Sequence, residues 1–349
     1  MSMETKGNVK EYRVPAGLSD FQKRMYMHLI DWKHSVLGEK EPGEYRGRLY
    51  DCLFTDQYIQ EHPFPPLIYA GILWDYDEMQ HNRMFAYKVH KYAYHMASSQ
   101  TACVNLFMPV LSSFDADEIL KHVPDVPADF VRIDRKRLFD GYCFEYWGQD
   151  FVPSRYGVLG DHSTGAGTDS DVAIAYINDK GERCLWIIEH KLTEQEFTTC
   201  GGYRSKANQQ KHLCRCSGIS DLVADHGKCH YSNIGYRYWD IMKKNPDAFR
   251  TEDGTGRCPF IGGMNQLWRN HLLALQYVAG GRYASVTFSV VHHRDNDALN
   301  ETLAAYRKLI GPDVLFSTFT NEDLVVAAER HSESLGDWAK WYRKLYFYK

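Results

Sequence analysis

Two short apolar runs, DVAIAYIN (171–178) and RCLWIIEHK (183–191), stand on either side of Asp179, Lys180, Gly181 and Glu182. Runs of this length, rich in β-branched and aromatic residues, read as buried strands. Asp-Lys-Gly closes them as a three-residue hairpin loop, a type I turn with Gly181 left-handed at a bulge. That loop pairs Asn178 with Glu182, so paired residue numbers sum to 360. Asp171 then lies opposite Glu189 with Cβ atoms roughly 5 Å apart. Lys191, two residues beyond Glu189, points to the same face. A two-residue turn would put the two acids on opposite faces, so the inference depends on the loop.

Two close carboxylates repel unless something cationic sits between them. Mg²⁺ or Mn²⁺ suits that position, held by hard oxygen ligands at about 2.1 Å. Asp171 and Glu189 are the expected ligands, with the carbonyl of His190 as a third. Such an ion lowers the pKa of a bound water and neutralises charge growing on a phosphate. Lys191 would orient or help deprotonate that water and stabilise the transition state. This is the chemistry of phosphodiester hydrolysis. The acid and the lysine end an apolar strand (LWII), where charge is costly without a purpose. Asp169 shares parity with Asp171 and is the alternative ligand.

The remaining pattern alternates helix and strand. A helical pattern is expected from Arg83 to Leu111, then a charged connector over 112–140 with a basic cluster at Arg132, Arg135, Lys136 and Arg137. A strand follows from Tyr142 to Trp147, then a loop in which Gly160, Gly165 and Gly167 precede Asp171. A helix over 263–278 and a strand over 284–293 come next, and two helices close the chain. This order implies an α/β (α+β) fold with a mixed sheet. The expected divisions are an N-terminal elaboration (1–90), a core (91–293) and a C-terminal helical extension (294–349).

With 41 basic and 45 acidic side chains, the chain as a whole does not announce a polyanion partner. Residues 201–250, however, hold nine Lys or Arg against four Asp, a local face suited to phosphates. The polar start MSMETKGNVKEYRVPAG lacks a leader pattern, and no apolar run nears the ~20 residues that cross a bilayer. Nine cysteines spread along the chain read as reduced thiols, so a cytoplasmic location is expected. Cys200, Cys214, Cys216, Cys229 and Cys258, with His226 and His230, fit no zinc spacing template, and buried free thiols are the expectation.

Asp171, seventeen residues, then Glu189-His190-Lys191 resembles the PD-(D/E)XK nuclease superfamily. HMASSQTACVNLFMPVL (95–111), EHKLTEQEF (189–197) and NQLWRNHLLAL (265–275) are similar to its bacterial restriction-endonuclease branch. The resemblance implies a restriction-endonuclease-like core, a mixed central sheet flanked by helices, with the site at one end of the hairpin. It implies a metal-dependent deoxyribonuclease acting on DNA, with a non-catalytic DNA-binding protein, a ribonuclease or an exonuclease of the same fold as alternatives. Many members place a Glu on the helix before the first strand. Here that helix offers Gln100 and Asn105, and Glu145 on the preceding strand could take the role. Gln266 and Arg269 share a helical face with Asn270 and are expected to approach DNA phosphates or the metal-bound water. Cutting both strands implies a homodimer, since one such site cuts one strand at a time.

Overall fold

In the computed structural model, which describes residues 12–151, 156–162, 167–250 and 256–348, the expected loop closes the hairpin. Gly181 has φ +77°, its N–H donates to the Asn178 carbonyl at 3.0 Å, and the Asn178 N–H donates to Glu182 at 3.0 Å. The Asn178 side chain completes the turn: Oδ1 accepts the N–H groups of Lys180 and Glu182 at 3.1 and 2.8 Å.

A small hairpin, β1 (Gly43–Tyr45) and β2 (Arg48–Tyr50), lies apart from a six-stranded sheet. The sheet comprises β3 (Phe130–Ile133), β4 (Tyr142–Tyr146), β5 (Ser170–Asn178), β6 (Arg183–Lys191), β7 (Val286–His292) and β8 (Phe316–Thr320). β5 and β6 run antiparallel in the register Val172–Ile188 to Ile177–Arg183, so the pair numbers sum to 360 as the loop requires. β3 and β4 share the other edge of β5, both antiparallel, whereas β7 and β8 continue from β6 in parallel. The fold is mixed α+β, a mixed central sheet flanked by helices.

Among the described residues, the longer helices around the sheet are α1 (Asp20–Trp32), α2 (Ser99–Leu111), α3 (Met264–Ala279), α4 (Asn300–Leu309), α5 (Asn321–His331) and α6 (Gly336–Tyr346). Successive side chains of the hairpin point to opposite faces and feed two cores. Val172, Ile174, Tyr176, Trp186 and Ile188 pack with α1, α2, α5 and α6; Ala173, Ala175, Leu185 and Ile187 pack with α3 and α4. Both faces of the hairpin are therefore dry.

The helical pattern expected from Arg83 begins only at Ser99. Ser98 accepts the Thr101 N–H at 3.2 Å and caps α2, while the preceding residues form turns. Pro109 sits inside α2 and has no N–H for the Asn105 carbonyl. The indole of Trp338 on α6 fills that vacancy at 2.8 Å, which fastens α6 to α2. Among the described residues, no helix is long and apolar enough to cross a membrane.

Candidate active site

The ladder between β5 and β6 ends at Val172–Ile188, and a side chain replaces the next rung: Asp171 Oδ2 accepts the His190 N–H at 2.7 Å. Asp171 thus lies beside Glu189. On the other edge of β5, Glu145 falls between the pairs Phe144–Val172 and Tyr146–Ser170, which sets it beside Asp171. Glu145, Asp171 and Glu189 form a row across three adjacent strands. At Glu145 the backbone is left-handed, φ +52°, a conformation that costs a non-glycine residue on the order of 1 kcal/mol.

Each carboxylate is held by neutral or cationic donors. Glu189 Oε1 accepts from Lys191 Nζ at 2.9 Å and from Gln266 Nε2 at 2.6 Å, and Oε2 accepts from Asn270 Nδ2 at 2.9 Å. Glu145 Oε1 accepts from Gln100 Nε2 at 2.9 Å. Gln100 is itself fixed, accepting the His90 N–H at 2.7 Å and donating to the Lys88 carbonyl at 3.0 Å. Gln266 also accepts the Thr198 N–H at 2.9 Å, which ties α3 to the chain leaving β6.

Burial dominates the electrostatics. Glu189 is 2% exposed and Lys191 8%. Burial, then the charge of Glu189, pushes the Asp171 carboxyl well above the usual carboxylate range, with Lys191 opposing. Burial also lifts Glu145 to about 7; the Gln100 hydrogen bond opposes this, and the charges of Asp169 and Glu189 add to it. For Lys191, burial works against the charged form, but Glu189, Glu194 and Asp171 outweigh it and raise the ammonium above its ordinary value. Three acids thus face one ammonium in a dry place that disfavours their charged forms, and a divalent cation would favour the ionised carboxylates. The donors are hard oxygens, the set that Mg²⁺ or Mn²⁺ prefers. Among the described residues, Asp171, Glu189 and Glu145 do not bring three carboxylate oxygens within 4.8 Å of one another, so a shared ion would draw their side chains inward.

His190 points to the opposite face, as alternation requires. Burial lowers its imidazole to about 4, and its ring Nδ1 lies 3.3 Å from Ser99 Oγ. Its backbone carbonyl accepts from the same Ser99 hydroxyl at 3.1 Å, leaving one lone pair for another partner.

The other expected residues divide. Gln100 and Gln266 join the group. Asn105 does not: it is fully buried, accepts the Tyr69 N–H at 2.9 Å, and donates to Leu67 O at 2.7 Å and Tyr346 OH at 3.0 Å. Arg269 donates to Thr168 Oγ1 at 3.1 Å, and Thr168 bonds Asp161, which also accepts from Tyr238 at 2.8 Å. It is locked into an internal network beside the site. Asp169 pairs with His162 at 2.8 Å, and that contact raises the His162 imidazole against the effect of burial. Gly165 lies outside the described residues. Gly167 packs so tightly on His162 that a Cβ would meet the ring at 2.2 Å. Asn270 and Ser99 are the partners that residue types alone did not single out, although Asn270 lies on the same face of α3 as Gln266.

A second, surface-lying group, Glu118, His122 and His331, offers ligand atoms within 4.8 Å of one another. The two imidazoles stack with centroids 3.6 Å apart.

A family model described as "Restriction Endonuclease associating with ARP" matches residues 29–347, nearly the whole chain and every residue of this group. No curated protein and no solved structure matches the chain. A restriction-endonuclease family implies a hydrolase acting on nucleic acids. The chain belongs to the family of restriction endonucleases associating with ARP.

Proposed function

We propose that the chain is a Mg²⁺- or Mn²⁺-dependent deoxyribonuclease of the PD-(D/E)XK type, hydrolysing DNA phosphodiester bonds as a restriction-like endonuclease. The observation that carries this reading is the row Glu145, Asp171 and Glu189 on three adjacent strands, with Lys191 at 2.9 Å from Glu189. Asp171, Glu189 and Glu145, with the His190 carbonyl, would hold the ion. Once bound, the ion supplies Lewis-acid activation of water and neutralises charge on the phosphate.

The chain's own residues do the rest. Lys191, 2.9 Å from Glu189, would orient or help deprotonate the attacking water and stabilise charge on the phosphate. Gln266 and Asn270 hold the two oxygens of Glu189, and the His190 N–H holds one oxygen of Asp171. Gln100 does the same for Glu145. Such outer partners fix ligand orientation before a metal arrives. Arg269 acts as a positioning residue, holding Thr168 three residues before Asp171. The basic segment 201–250 and the cluster at 132–137 would follow the phosphate backbone. Paired cuts in both strands call for a homodimer.

The test is cleavage of supercoiled plasmid by wild type in Mg²⁺, in Mn²⁺ and in EDTA. Nicked or linear product with either metal, and none in EDTA, is expected. Cutting at equal rate in EDTA would overturn the mechanism.

A further inference from the structure

Glu118, His122 and His331 play no part in that chemistry. Among the described residues they are the only three His, Cys, Asp or Glu side chains whose ligand atoms all lie within 4.8 Å of one another. Two elements far apart in sequence build the group. Glu118 sits on the short helix Ala116–Lys121, and His122 caps its end, its N–H donating to the Ile119 carbonyl at 3.1 Å. At a spacing of i and i+4, the two side chains share one face of that turn. His331 is the last residue of α5.

The short helix and α5 are fixed against each other whether or not an ion is bound. Ala116, Ile119 and Leu120 on one side, and Ala327 and Ala328 on the other, are buried in the same apolar cluster. Ser332 Oγ, next to His331, donates to Asp115 Oδ2 at 2.6 Å. Asp117 Oδ1 accepts the Ile133 N–H at 2.7 Å and ties the short helix to β3. The three side chains themselves meet solvent: Glu118 and His122 are exposed and His331 is half-buried.

The donor atoms suit an ion. His122 Nδ1 lies 2.8 Å from the Glu118 carbonyl. Donating there, it leaves the lone pair on Nε2, and such an outer hydrogen bond is what orients metal-ligating imidazoles. Glu118 turns Oε2 toward Lys121 at 3.8 Å and Oε1 toward His122 at 3.6 Å. The His331 ring stacks on that of His122, with centroids 3.6 Å and planes 14° apart.

We propose that Glu118, His122 and His331 form a zinc site that clamps the short helix to α5 and shares no residue with the carboxylate row. Two imidazoles and one carboxylate favour Zn²⁺ over Mg²⁺ or Mn²⁺, with water in the fourth position of a tetrahedron. Bonds of about 2.0–2.1 Å set tetrahedral ligands about 3.4 Å apart. Binding therefore draws the side chains slightly together and turns the stacked rings until their lone pairs converge. Exposed side chains can make that turn without disturbing the core.

The full chain is stripped with EDTA, dialysed against low-micromolar Zn²⁺ and analysed for bound zinc, and its thermal midpoint is recorded with and without the metal. His122→Ala and His331→Ala should each hold about one Zn²⁺ fewer than wild type and lose part of the zinc-induced rise in midpoint. His226→Ala removes another exposed histidine beside an acid, Asp240 at 3.6 Å, and should match wild type in both readings. Zinc content equal to wild type in His122→Ala or in His331→Ala overturns the proposal. So does an equal loss in His226→Ala, which would mean adsorption by surface histidines at large. Should an alanine variant fail to fold, Glu118→Gln, a change confined to an exposed charge, decides by the same count. No cleavage is read, so failure here leaves the nuclease reading untouched.

Discussion

Glu145 combines two costly features, a left-handed backbone and a carboxyl lifted to about 7 by burial. A carboxyl whose pKa is raised on folding favours the folded state while protonated. That contribution is full below the ordinary value near 4.5 and is lost as pH rises through about 7. Glu145→Gln should therefore raise the thermal midpoint in EDTA at pH 8, with the gain shrinking toward pH 4.5. A lower midpoint than wild type at pH 8 would show that the carboxylate is compensated there without metal. The candidacy of Glu145 came from its place on the strand candidate before the hairpin, as a substitute for the acid that the resemblance implies on the preceding helix. Its unusual φ was not legible, since nothing in FEYWGQ signals a left-handed glutamate. The bound-up state of Arg269 was equally hidden, because its partners Thr168 and Asp161 lie about a hundred residues away in sequence.

The hairpin was the most legible element. Period-two alternation and an Asp-Lys-Gly loop jointly set the register, and a one-residue error would have reversed every face. Gly181 has φ +77° and open space around its Cβ position, so Gly181→Ala tests the loop alone. It should cost about 1 kcal/mol in urea unfolding and leave the cleavage rate per folded molecule unchanged. A cost near zero would mean that another loop conformation serves equally well. The start of α2 was less legible: aromatic and small residues from 83 to 98 mimic helical spacing, and the Ser98 cap decides the boundary.

Across the whole molecule, one apolar cluster runs from Phe21 and Met25 through the sheet to Trp338 and Tyr342. Asn105 knits this unit, joining α2 to the Leu67–Tyr69 segment and to α6. Asn105→Ala should destabilise by about 2–3 kcal/mol, because buried backbone groups lose their partners. DNA affinity of the folded fraction should not change; a selective loss of affinity would return Asn105 to the substrate. The sequence could not show this, since a helical face does not reveal what covers it. The central claim concerns the carboxylate row and its lysine, and Lys191→Ala tests it most directly. On supercoiled plasmid with Mg²⁺, the variant should bind DNA as wild type does and cut at least about 10²-fold more slowly. Cleavage at the wild-type rate would contradict the account.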